Sequence, residues 1–221
     1  MLSFQEYHIR FRRAVLRQKA HLTLLSNGGY VAQLGTGFCF AMMSGLHGDE
    51  PSGPLAILKW LESLPDNYQF PSPLWIAPLV NDDGWEKNQR EWHSQDLNRS
   101  FNQFAPDFLE TIMASLEVAQ PRFFLDLHED SDFDFSYVYQ FTGDKHSLVA
   151  QIASALDVQI QTWSDFSEWE TASEIYLRRL GCEYCFTVEA SPQWPLQERI
   201  ELHIKSIDWI QETIKTFFGP I

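Results

Sequence analysis

Short, nearly continuous apolar runs alternate along this chain with stretches of helical period, and that alternation constrains the fold more than any other feature. Phe38–Met43, Leu74–Val80, Arg122–Leu127 and Tyr184–Ala190 read as strands, the last of them buried on both faces. Between them, Pro51 suits the first turn of a helix carrying Leu55, Leu58, Trp60 and Leu61. A second helix is predicted over about 105–119, with further helical pattern near 145–156 and 172–180, where Gly181 supplies a stop. The last helix, about 196–217, places Ile200, Ile204, Ile207, Ile214 and Phe217 on one face. Residues 4–25 read as an opening helix, broken by Ser26-Asn27-Gly28-Gly29, and Tyr30–Leu34 and Phe135–Phe141 as further strands. Strands alternating with helices predict an α/β sheet covered on both sides, and 221 residues suit one such domain.

Charge narrows the function classes. Thirty acidic side chains against sixteen basic ones give a formal charge of −14, which argues against nucleic-acid binding, where phosphate contacts need clustered Lys and Arg. Arg10, Arg12, Arg13, Arg17 and Lys19 crowd the opening helix, and the expectation is a solvated face pairing with the acidic body. No apolar run approaches the roughly 20 residues that span a bilayer. The first residues lack a signal-peptide pattern. Cys39, Cys182 and Cys185 cannot complete a disulfide framework and suit a reducing compartment, so a cytoplasmic location is expected.

Three chemically loaded segments sit at or just beyond the carboxyl ends of predicted strands, the edge where ligands gather in open α/β sheets. They are His47-Gly-Asp-Glu50, Asp126-Leu-His128 and Thr187-Val-Glu189. His47 and Glu50, three apart on a strand-to-helix turn, can aim an imidazole and a carboxylate at one point, and His128 would complete a His, Glu, His set. Two histidines and a glutamate with a fourth position open form a known catalytic zinc arrangement. For His47 alone, an ordinary loop histidine beside a capping carboxylate is an equal reading. Asp126 could orient His128, since ligating histidines usually donate their other N–H to a carboxylate, or it could cap a turn. Glu189, inside an apolar strand, needs either an arginine partner or work as a general base. The long polar loop Asn81–Phe101 holds Arg90, Asn98 and Arg99. Their donors suit a carboxylate pocket, although on these residues alone surface ion pairs of the arginines with Asp82, Glu86 or Asp96 are the simpler reading.

His47-x-x-Glu50, Asn81-Asp-Asp-Gly84, Arg90, Asp96-Leu-Asn98-Arg99-x-Phe101, Asp126-Leu-His128 and Thr187-Val-Glu189 together resemble the ordered motifs of the zinc carboxypeptidase superfamily. That superfamily includes the metallocarboxypeptidases and the succinylglutamate desuccinylase/aspartoacylase group. The resemblance runs from about residue 35 to 195. It implies a three-layer α/β/α sandwich around a mixed, mostly parallel sheet, with residues 1–34 ahead of the catalytic core and 196–221 as a closing helix. It implies one zinc ion held by His47, Glu50 and His128, Glu189 as base, Arg90 as carbonyl polariser, and Asn98 with Arg99 holding a substrate carboxylate. The Asp-Leu-His form resembles the desuccinylase group, whereas Asn-Asp-Asp-Gly and Thr-Val-Glu-Ala look more like carboxypeptidases. The substrate-side tyrosine of carboxypeptidases has three candidates, Tyr137, Tyr139 and Tyr176.

Weaker signals have plainer readings. Glu129, Asp130, Asp132 and Asp134 follow the proposed ligand His128 and could bind a basic substrate end or a second divalent ion, but a solvated acidic loop is the simpler reading. Cys182 and Cys185 read as buried thiols, and His93 as a surface histidine. The expected activity is hydrolysis of an amide bond beside a free carboxylate, on a peptide, or on an N-acyl amino acid as the alternative. A silent carboxylate-binding protein is the third reading, against which the retained base speaks.

Overall fold

The computed structural model describes residues 2–36, 40–101, 103–141, 146–163 and 171–218. The predicted strand start at Phe38 and Cys39 lies outside these residues. The elements run α1 (Phe4–Arg17), β1 (His21–Leu24), β2 (Tyr30–Leu34), β3 (Phe40–Ser44), α2 (Ser52–Ser63), β4 (Leu74–Ala77), α3 (Asp82–Lys87), α4 (Asp107–Ala119), β5 (Phe123–Glu129), β6 (Tyr137–Phe141), α5 (His146–Leu156), β7 (Gln159–Trp163), α6 (Ser173–Arg179), β8 (Tyr184–Ala190) and α7 (Leu196–Phe218). All eight strands form one sheet in the order β1-β2-β4-β3-β5-β8-β6-β7. The central four, β4-β3-β5-β8, are parallel, while β1 and β2 enter antiparallel and β6 pairs antiparallel with β8. The sheet is therefore mixed, as expected.

Period-two alternation explains why both faces need covering. Phe40, Met42, Phe123, Leu125, Phe186 and Val188 point to one face, into a core with α1, α2, α5 and α7. Ala41, Met43, Phe124 and Cys185 point to the other, against Leu109, Ile112 and Leu116 of α4 and Leu177 of α6. The result is helix, sheet, helix.

Several boundaries differ from the sequence reading. The opening helix starts at a capping box, in which Glu6 N donates to Ser3 Oγ at 3.2 Å and Ser3 N to Glu6 Oε2 at 2.9 Å. It stops at Arg17 rather than near residue 25. Gln18 turns aside to donate to Pro65 O at 2.9 Å and accept from Tyr68 N at 2.8 Å, and Lys19 adopts φ 60°. His21–Leu24 then pairs with β2, so Ser26–Gly29 is a hairpin turn rather than a helix breaker. The basic face behaves as expected at Arg10, which binds Glu62 at 2.9 Å, and at Arg17, which binds Asp66 at 3.2 Å. The fourth strand ends at Ala77, before Pro78. The long polar loop contains α3 and a short 3-10 turn, Leu97–Arg99. Strand β7 has no counterpart among the predicted strands. Among the described residues, no helix is long and apolar enough to cross a membrane.

Candidate metal centre

From β3 the chain crosses through α2 to β4 on one side, and from β4 through α4 to β5 on the other side of β3. The carboxyl ends of β3 and β5 therefore flank a switch in strand order, where a crevice opens. His47 lies just beyond β3, and His128 is near the end of β5. Glu189 occupies the register position beside His128 on β8.

Glu50 joins the two histidines. Its Oε1 lies 2.6 Å from His47 Nδ1, and its Oε2 2.8 Å from His128 Nδ1. Arg90 Nη1 donates to Oε1 at 3.1 Å, and the Glu129 N–H to Oε2 at 3.0 Å. The opposite nitrogen of each imidazole faces a further carboxylate: His47 Nε2 meets Asp96 Oδ1 at 3.1 Å, and His128 Nε2 lies 3.3 Å from Asp126 Oδ1. His47, Glu50 and His128 are buried, and one ligand atom from each lies within 4.8 Å of the others. Two imidazole nitrogens and a carboxylate oxygen, each imidazole backed by a carboxylate, are the donor set and outer support of a three-ligand catalytic metal site. The residues fit a divalent ion. Among the described residues no other group of three or more His, Cys, Asp or Glu converges in this way, and Asp130 and Asp132 form no second one. Asp130 instead accepts from Asp132 N at 2.8 Å and from the Tyr137 hydroxyl.

The loop carrying His47 is fixed by the Asn-Asp-Asp-Gly segment. Asn81 is fully buried. Its Nδ2 donates to Leu46 O and to Arg90 O, both at 3.0 Å, and its Oδ1 caps α3 by accepting from Gly84 N at 2.7 Å. The residue before His47 and the backbone of Arg90 thus hang on one amide. Gly48 packs directly on the Gly84–Trp85 peptide, where a Cβ would sit 1.9 Å from the Gly84 carbonyl carbon. These two glycines are required by close approach.

A cleft of about 460 Å3 opens over the centre, and His47, Glu50, Arg90, Asn98, His128 and Glu189 contribute to its lining. Asn98 Oδ1 accepts from Ser173 N at 3.1 Å. Arg99 is not among the lining residues, and its Nη1 donates to Asn98 O at 3.0 Å. Glu189 is 9% exposed, and its Oε2 meets no hydrogen-bond partner among the described residues. The arginine ion pair that sequence reasoning allowed for it is not formed among them. Of the three tyrosines, Tyr139 lines the cleft, Tyr137 lies behind it with its hydroxyl 3.1 Å from that of Tyr139, and Tyr176 bonds Glu117 at 2.9 Å, away from the cleft. His93 is exposed beside Asp83, and both Cys182 and Cys185 are buried free thiols.

Electrostatics separates the carboxylates. Burial disfavours the charged form of both histidines, yet Glu50, Asp96 and Asp126 outweigh it and raise their pKa values. Burial likewise opposes ionised Asp96, but His47 and the Arg99 and Arg90 charges pull it down to about 2. Glu189 goes the other way: burial, reinforced by Glu50 and Asp130, raises it to about 8. Burial also pushes Tyr139 up to about 12, leaving its hydroxyl a donor. Asp96 is the residue whose place behind His47 sequence reasoning missed. The Asp-Leu-Asn-Arg motif is the available signal, in which the sequence reading gives Asp96 itself only as an ion-pair partner for the arginines.

The succinylglutamate desuccinylase/aspartoacylase catalytic-domain model matches residues 38–208. A comparison with curated protein sequences gives no match. Among solved structures, a provisionally assigned metallopeptidase from Shewanella denitrificans superposes with a TM-score of 0.80 at 20% identity, over 98% of this chain and 90% of its own. A metallo-carboxypeptidase from Burkholderia cenocepacia gives 0.79 at 15% identity, over 98% of this chain and 70% of its own. A Pseudomonas aeruginosa metallo-carboxypeptidase, solved with (2-guanidinoethylmercapto)succinic acid, gives 0.78 at 13% identity, over 97% and 69%. At these identities the structural likeness establishes the shared fold.

Proposed function

Since this chain belongs to the succinylglutamate desuccinylase/aspartoacylase catalytic-domain family, we propose that it is a zinc-dependent hydrolase of the metallocarboxypeptidase type, cleaving an amide bond beside a free carboxylate. The observation that carries the reading is the convergence of His47, Glu50 and His128 on one point while Oε2 of the neighbouring Glu189 meets no hydrogen-bond partner among the described residues. His47 Nδ1, His128 Nδ1 and Glu50 would hold the ion. When bound, a divalent ion supplies Lewis-acid polarisation and lowers the pKa of water at the site.

The chain's own groups do the rest. Asn98 and Arg99 hold the substrate carboxylate, Asn98 through its amide N–H donors and Arg99 by bidentate pairing from the margin of the cleft. Arg90, half exposed beside Glu50, donates to the scissile carbonyl oxygen and stabilises the charge that develops there. Glu189 takes a proton from the attacking water and delivers it to the leaving amine. Burial suits that exchange, since it raises the Glu189 carboxyl to about 8, and a carboxyl near neutrality accepts and returns a proton readily. Tyr139 is placed to donate from the cleft wall. The reading places one catalytic unit over residues 1–221, with 35–195 as its core.

The family match favours a second reading, an N-acyl amino acid as substrate. Amine release from a panel of peptides with free carboxyl termini and N-acyl amino acids, with and without a chelator, separates the two. Chelator-sensitive cleavage of peptides supports the carboxypeptidase reading. Cleavage confined to acyl amino acids moves the enzyme to the deacylase reading, and no cleavage of either set by zinc-loaded protein refutes both.

A further inference from the structure

Ser173 opens α6 far from both His128 and Asn98 in sequence, yet it touches the support of each. It is 1% exposed. Its hydroxyl donates to Asp126 Oδ2, and its backbone N–H donates to Asn98 Oδ1 at 3.1 Å. We propose that Ser173 is a positioning residue that aligns the metal ligand His128 through Asp126 and, with its backbone, sets which end of the Asn98 amide faces substrate. The inference rests on the metal and carboxylate roles proposed above.

The first part follows from how Asp126 is divided. Its Oδ2 is held by Ser173, while among the described residues Oδ1 has no hydrogen-bond partner and lies 3.3 Å from His128 Nε2, which is otherwise unpartnered among them. A carboxylate turns about one bond, so fixing one oxygen fixes the direction of the other. The Ser173 hydroxyl therefore determines how squarely Asp126 faces the imidazole, and hence where His128 Nδ1 points. Outer groups of this kind typically carry 10–100-fold of metal affinity.

The second part follows from hydrogen-bond complementarity. Asn98 has an acceptor end and a donor end. An N–H can only meet the acceptor, so the Ser173 N–H claims Oδ1 and leaves the NH2 for the cleft. That is the end a substrate carboxylate requires. Ala172 has extended backbone, φ −73° and ψ 152°, and offers no side-chain cap, so the helix starts at Ser173 with its N–H free for an outside partner.

The backbone geometry makes the two contacts separable. Ser173→Ala removes the hydroxyl and keeps the N–H. Ser173→Pro removes both, at a first helical position where proline is favoured and after a residue already in the conformation that proline demands. Zinc affinity is read by competition with a chromogenic chelator, and KM and kcat on whichever panel substrate the wild type cleaves. Ser173→Ala is expected to weaken zinc binding by about tenfold with little change in KM. Asp126→Asn should weaken it similarly, and the double variant should be no worse than either single change, because both act through one contact. Ser173→Thr, which keeps the hydroxyl, should restore affinity, and Ser173→Pro should add a rise in KM. Circular dichroism and melting establish that each variant is folded. Zinc affinity within twofold of wild type in Ser173→Ala, when His128→Ala abolishes binding, overturns the proposal. Unchanged affinity in His128→Ala overturns the metal-site reading instead.

Discussion

Replacing Gly48 by alanine tests whether the metal site is built by backbone packing as closely as the structure shows. A Cβ there would lie 1.9 Å from the Gly84 carbonyl carbon and 2.2 Å from Trp85 N, whereas ordinary contact begins near 3.4 Å. The His47 loop and α3 must then separate by roughly 1.5 Å to restore van der Waals contact. Helix α3 is poorly able to retreat. Trp85 is buried against the Tyr7 ring at 6.0 Å and its Nε1 donates to Leu2 O at 2.8 Å, while Asn81 caps the helix by accepting from Gly84 N. Most of the displacement therefore falls on His47, and through Gly48 N and Arg90 O, 3.3 Å apart, on Arg90 as well. Sites of this kind tolerate about 0.5 Å, and a misplacement of about 1 Å costs on the order of 10²-fold in rate. Gly48→Ala is expected to lose at least about tenfold in zinc affinity and about 10²-fold in kcat/KM. Overpacking should also cost about 1–3 kcal/mol of stability. The control is Gly28→Ala, at φ 86° with nothing within 4 Å of the added carbon, which should lower stability and leave zinc affinity alone. A folded Gly48→Ala protein with wild-type zinc affinity would refute the packing argument.

Three further outcomes follow from other parts of the molecule. Glu189→Gln keeps the shape of the cleft but removes the proton acceptor, so kcat should fall by about 10²–10⁴-fold with zinc affinity unchanged; turnover near wild type would remove Glu189 from the mechanism. His8 is buried among aromatic rings, and that burial lowers its pKa from 6.5 to about 4 against the pull of the Leu79 carbonyl. The unfolded chain therefore takes up this proton first, so the stability is whole above pH 6.5 and shrinks as pH falls through 4, by about 3 kcal/mol once the folded state is protonated as well. His8→Gln should flatten that slope in urea unfolding between pH 7.5 and 4.5, and parallel slopes for variant and wild type would count against the assignment. Zinc at a hundredfold excess over its dissociation constant should stabilise the fold by about 2.7 kcal/mol, lost on chelation, and Glu50→Gln should abolish most of the gain.

Legibility in the sequence followed burial. The strands β3, β4, β5 and β8 are covered on both faces, so their residues form near-continuous apolar runs, and a charge inside such a run is conspicuous. Asp126, His128 and Glu189 interrupt those runs, which is why they were found. Strand β7 is an edge strand whose Gln159 and Ile160 remain exposed or half-exposed, and Gln159-Ile-Gln-Thr-Trp carries too weak a pattern to stand out. His21–Leu24 contains a leucine in helical phase with Val15, and only pairing with β2 makes it a strand. Asp96 and Ser173 were hidden for a different reason. Each acts on a residue 47 or 49 positions away, and a serine or aspartate at a turn looks the same whether it faces solvent or a ligand histidine.

Three carboxylates of the centre, Glu50, Asp96 and Glu189, divide by partner, and that division supports the roles proposed for them. Glu50 faces two imidazoles and a guanidinium, and Asp96 faces His47 with Arg90 and Arg99 nearby; both are held below the ordinary carboxylate range despite burial. Glu189 occupies the same sheet edge, level with His128, but has no hydrogen-bonded cation among the described residues, and burial raises it to about 8. Groups of one chemical type driven in opposite directions by their surroundings mark a division of labour. The low members stay ionised and suit ligation and orientation of cations. The high member sits near neutrality, where a carboxyl can take a proton from water and give it back. A silent binding protein would gain from the first set alone, and burying Glu189 without a partner would only cost it stability. A buried carboxyl unpaired among the described residues is therefore the feature of this site that binding by itself leaves unexplained and hydrolysis requires.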